Sequence, residues 1–85
     1  MDYDQLSIAL SELKGDEVLE LTKQFIESRP DELAEKKFII AAQDGINKVS
    51  ERFEMRDYKV GDLIYAKEIL EQIMDMILPA AEGSI

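Results

Sequence analysis

The stretch Asp44-Gly45-Ile46-Asn47-Lys48-Val49-Ser50-Glu51-Arg52-Phe53-Glu54-Met55-Arg56-Asp57-Tyr58-Lys59-Val60-Gly61-Asp62-Leu63 decides the fold. Val49 and Phe53 carry an apolar stripe up to a charged, turn-prone segment, and Leu63 opens a second stripe beyond it. Apolar residues at three- and four-residue steps on both sides predict two amphipathic helices. The turn between them runs from Met55 to Gly61, and the second helix stops at Pro79.

Outward from this corner the same period recurs. Leu6, Ala9, Leu10 and Leu13 predict a helix over 3–14, started by Asp2 or Asp4. In the break Lys14-Gly15-Asp16, Gly15 suits the left-handed position after a helix and Asp16 suits the next cap. Val18, Leu21, Thr22, Phe25 and Ile26 predict a helix over 17–28, with Glu17 and Glu20 near the positive end of its dipole. Ser28-Arg29-Pro30-Asp31 is the second break, with Asp31 as a cap. Phe38, Ala42, Ile46, Val49 and Phe53, widened by Ile39 and Ile40, predict the longest helix, over 31–54. Gly45 sits in its middle at a cost of about 1 kcal/mol against alanine, which points to a close backbone neighbour. Leu63, Ala66, Leu70, Ile73 and Ile77 predict the last helix, over 62–78. Four amphipathic helices with short connections make an all-α, antiparallel four-helix bundle. The domain is 1–79, and 80–85 is a tail or the start of a linker.

The totals exclude more than they assert. Eighty-five residues suit one small domain, and 46% hydrophobic content is enough for a core. No run approaches the roughly 18–20 apolar residues that span a bilayer. The start lacks the basic region of a signal peptide, and with no cysteine there is no disulfide framework or thiolate site. A cytoplasmic setting is the expectation. A net charge of −9 repels phosphate backbones and anionic lipid, so neither nucleic acid nor membrane is an expected partner. Without histidine there is no Ser-His or Cys-His pair and no Glu-x-x-His metal motif. No catalytic residue and no metal ligand set stands out.

Glu51 with Glu54, and Glu68 with Glu71 and Asp75, share helix faces and read as solvated surface. Lys36 and Lys37 read as ion-paired surface beside Glu32 and Glu35, and Met55, Met74 and Met76 as core filling. The unusual place is the corner. Phe53, Tyr58, Val60 and Leu63 crowd around one turn, either as a packed hairpin or as an apolar platform offered to a flat ligand or a partner.

Gly45-Ile46, Val49-Ser50-Glu51-Arg52-Phe53, Tyr58-Lys59-Val60-Gly61-Asp62-Leu63 and Ile77-Leu78-Pro79, in that order, resemble the N-terminal helical cap domain of cobalamin-binding proteins. That family includes the corrinoid proteins of methylamine and methanol methyltransferase systems and the cap of methionine synthase. Ser50, Lys59 and Gly61 stand where the family usually has glycine, phenylalanine and proline. The resemblance implies a cap over the upper face of methylcobalamin. Phe53, Val60 and Leu63 would shield the cobalt-bound methyl group, with Tyr58 and Lys59 beside them at the cofactor face. It implies that the corrinoid is held mainly by a following cobalamin-binding domain, whose Asp-x-His-x-x-Gly motif supplies the lower ligand. It also implies a corrinoid-dependent methyltransferase as partner and no catalysis by the cap itself. The alternative is a stand-alone helical interaction domain, homodimeric and without cofactor, that buries the same apolar patch.

Overall fold

The computed structural model describes residues 1–82, with side chains through Leu78. Helix α1 spans Tyr3–Ser11, α2 Gly15–Glu27, α3 Glu32–Glu54 and α4 Val60–Glu82. The described residues contain no strand. The fold is the all-α four-helix bundle that the periodicity predicts.

Two helix starts are the expected ones. Asp2 Oδ1 accepts from the N–H groups of Asp4 (3.0 Å) and Gln5 (3.3 Å), and Asp31 Oδ1 accepts from that of Ala34 (2.8 Å). Each carboxylate satisfies donors that have no partner within the helix. Helix α4 begins two residues earlier than predicted. The Lys59 N–H donates to the Asp62 carboxylate (2.9 Å), half of a capping box, and this draws Val60 and Gly61 into the first turn.

The first break differs from the expectation. Helix α1 ends at Ser11, and Leu13 rather than Gly15 takes the left-handed conformation (φ 61°). The N–H of Lys14 donates to the Ala9 carbonyl and that of Leu13 to the Leu10 carbonyl, both at 3.0 Å. This paired closure fixes the left-handed residue one position after Glu12, whatever side chain it carries. Gly15 is instead the first residue of α2. Asp16 does not cap it, because Lys14 holds the cap position and makes no side-chain bond there. A Cβ at Gly15 would meet the Tyr65 hydroxyl of α4, the far end of a side chain that is 44% exposed. Arg29 (φ 53°) and Arg56 (φ 66°) end the next two helices in the same left-handed way, each costing about 1 kcal/mol or more. Pro79 does not stop α4, which continues to Glu82. Proline loses one ladder bond, yet its φ is compatible with a helix. Residues 83–85 of the expected tail lie outside the described residues.

Successive helices alternate in direction, but the tightest neighbours are parallel pairs, α1 with α3 and α2 with α4. The backbones of α2 and α3 stay apart across the bundle diagonal, where stacked Phe25 and Phe38 rings fill the gap (centroids 4.5 Å apart). Phe38 is fully buried, as are Leu6, Leu10, Val18, Ile69 and Ile73 in the same core. Ile40, expected to widen the α3 stripe, is 63% exposed on its outer face. Among the described residues Lys36 and Lys37 make no ion pair; the pairs there are Lys14–Glu12 and Lys48–Asp44, both at 3.2 Å.

Gly45 has the close neighbour expected of it. A Cβ there would lie 2.9 Å from Leu10 Cβ and 3.0 Å from the Ser7 carbonyl oxygen, so α1 rests on bare α3 backbone. Beside this contact Ser7 Oγ donates to Asp44 (2.6 Å), and Lys48 Nζ donates to Ser7 Oγ (3.2 Å). The Ser7 hydrogen bond, with a second from Lys48, holds the Asp44 carboxyl below its ordinary 3.8.

Gly45→Ala is expected to lower the stability read by urea denaturation by about 1–3 kcal/mol, because α1 backbone must move. Gly61→Ala should raise it by up to about 1 kcal/mol, since nothing lies within 4 Å of that position. The Asp44 contribution is fully present above pH 3.8 and is lost as the pH falls through the lowered folded-state value. The wild-type protein should therefore be more stable than Asp44→Ala at pH 7, and urea midpoints should converge in acid.

Candidate functional site: an open apolar corner

Helix α3 ends in a paired closure of its own. The N–H of Arg56 donates to the Phe53 carbonyl (3.0 Å) and that of Asp57 to the Arg52 carbonyl (2.9 Å). The turn over residues 55–59 then sends α4 back along the bundle. Val60, Leu63 and Ile64 fall at three- and four-residue spacing on one face of the first α4 turns.

These residues are not packed away. Phe53 and Leu63 are half-buried and stand outside the contiguous core that runs from Leu6 through Phe38 to Ile77. Val60 is 58% exposed. Met55, read from sequence as core filling, is 71% exposed, and Met74 and Met76 are half-buried outside the core cluster. Ile64, which the sequence reading passed over, is 53% exposed. The corner thus carries five large apolar side chains, three of them mostly in solvent.

Tyr58 and Lys59 are placed differently from Phe53, Val60 and Leu63. The Tyr58 hydroxyl donates to the Ser11 carbonyl (2.6 Å) and accepts from Arg52 Nη1 (2.8 Å). The Arg52 guanidinium carbon lies 5.3 Å from the centroid of the same ring. The phenol is therefore used within the chain. Lys59 is exposed and contributes its backbone N–H to the α4 cap. Arg52 and Ser11 were not legible as parts of this corner. The Ser11 acceptor is a main-chain atom 47 residues from Tyr58, and no side-chain pattern announces it.

Two clefts among the described residues lie at the opposite end. One, of about 350 Å³, is lined by Tyr3, Ser7, Lys37, Ile40 and Asp44, roughly 20 Å along α3 from Phe53. The other, of about 240 Å³, lies between the start of α1 and the end of α2. Among the described residues there is no cluster of three or more acidic side chains arranged to hold a metal ion, and the chain has no histidine or cysteine to contribute. No helix among them is long and apolar enough to cross a membrane.

The bundle leaves apolar side chains at the α3–α4 corner open to solvent. The chain belongs to the B12 binding domain family, whose model matches residues 3–78. It is a cobalamin-associated helical cap, an accessory rather than a catalytic module. No solved structure matches it.

The residues present suit one part of a corrinoid site. Exposed Met55, Val60 and Ile64, with half-buried Phe53 and Leu63, give the corner the apolar character that suits a broad, weakly polar face. Without histidine, the chain has no imidazole to ligate the lower side of the ring.

Phe38→Ala is expected to cost about 3–5 kcal/mol, as for a fully buried aromatic residue. Phe53→Ala should cost less than half as much in the same denaturation assay. Equal losses would make Phe53 a core residue.

Proposed function

We propose that this domain caps the upper face of a cobalamin held mainly by a neighbouring B12-binding domain. Phe53, Val60 and Leu63 form its apolar lid, in a protein that carries methyl groups for a corrinoid-dependent methyltransferase. The exposure of Val60, with that of Met55 and Ile64 near it in the chain, supports this reading most directly. A residue that served only to pack two helices together would be covered.

Cobalamin, when bound, supplies an alkyl group carried on cobalt. The lid residues exclude water and competing reactants from the covered face, and their lack of proton-transferring groups keeps that face inert. The neighbouring domain supplies the lower ligand. The lid must swing aside for transfer, which favours a modest apolar contact over a deep, tight one. Such a surface gives the isolated domain only weak affinity for the cofactor.

Titration of the ¹⁵N-labelled domain with methylcobalamin tests the assignment. Fast-exchange shifts concentrated in residues 53–64 are expected, with a dissociation constant on the order of 1 mM. Shifts clustered instead around Tyr3 and Ile40, or none at all, would remove the lid. Shifts at the corner that depend on protein concentration without cofactor, with a dimer by sedimentation, would favour self-association through the same patch.

A further inference from the structure

The first turn of α4 has little to hold it in place. Val60 is mostly exposed, nothing lies within 4 Å of a Cβ at Gly61, and Leu63 is only half-buried. The first fully buried side chain of α4 is Ala66. Within the turn, the backbone bonds from Arg56, Asp57 and Tyr58 all return to Phe53 or Arg52, so they shape the loop without fixing it to the bundle. Among the described residues, one hydrogen bond leaves this turn for a distant element, the 2.6 Å bond from the Tyr58 hydroxyl to the Ser11 carbonyl.

That bond joins two needs. Ser11 is the last residue of α1, and its carbonyl has no acceptor role inside the helix. The hydroxyl that reaches it is itself oriented by Arg52, which donates from the last turn of α3 (2.8 Å). One phenol therefore links the end of α1, the end of α3 and the entry to α4. Two residues beyond it, Val60 faces solvent.

We infer that Tyr58 is the positioning residue of the lid corner, holding Val60 and Leu63 in fixed register against the bundle through its bonds to Ser11 and Arg52. As a property of the lid this rests on the function proposed above; as a property of the fold it stands alone. The role also differs from contact with the cofactor, because both hydrogen-bonding directions of the hydroxyl are already used inside the chain.

The test is Tyr58→Phe, which keeps the ring and removes the oxygen. It is made alone and together with Arg29→Gly, which relieves the left-handed Arg29 at the opposite end and restores overall stability. Amide hydrogen exchange over residues 57–64 should accelerate by about tenfold relative to Leu10, Phe38 and Ile73, and Arg29→Gly should not restore it. Shifts induced by methylcobalamin at the Val60 and Leu63 methyl groups should weaken several-fold in both variants. An unchanged ratio of corner to core exchange would overturn the inference. So would faster corner exchange with methylcobalamin shifts equal to those of the wild type. If the wild-type domain shows no such shifts, the lid reading fails while the exchange ratio still decides whether Tyr58 holds the corner.

Discussion

The close approach of α1 to α3 at Gly45 is the constraint on which the rest of the structure depends. With no side chain at that position, Leu10 and the Ser7 backbone settle directly on α3, tighter than any Cβ would allow. The two helices run side by side and parallel, and the remaining two must then occupy the other edge of the bundle. Phe25 and Phe38 fill the diagonal that this arrangement leaves, with Tyr3 edge-on to Phe25. The Ser7–Asp44–Lys48 cluster flanks the contact on its wet side and adds direction to it.

The same approach prepares the corner. Because α1 lies along α3, its last carbonyl arrives beside the final turn of α3, where Tyr58 and Arg52 meet it. The corner is thus fastened from its polar side while its apolar side stays open. Neighbouring residues divide the work: Tyr58 turns inward to main-chain and guanidinium partners, and Val60 turns outward. A covering surface needs this combination, since an apolar patch without an anchor would collapse into the core or fray.

Much of the architecture was legible before any coordinates. The stripes through Phe38, Ala42 and Val49 and through Ala66, Ile73 and Ile77 are core. The caps at Asp2 and Asp31 are where short polar side chains precede apolar periods. Errors arose where one residue had two physical uses. Gly15 resembled a turn glycine but is the first residue of α2, packed beside Tyr65. Pro79 resembled a terminator, yet it sits within a helix. Met55 and Ile40 have the right character for a core and the wrong angular position for one.

Sequence alone determined that this chain forms four amphipathic helices, that it lacks imidazole and thiol chemistry, and that its motif-bearing turn lies between the third and fourth helices. Those are consequences of local period, of capping and of composition, each contained within a few consecutive residues or a simple count. Tertiary structure decided which helices touch, which apolar residues at the turn remain uncovered, and that Tyr58 faces Ser11. These depend on distances between segments remote in the chain, and a main-chain carbonyl or a vacant Cβ position leaves no signature in the order of side chains.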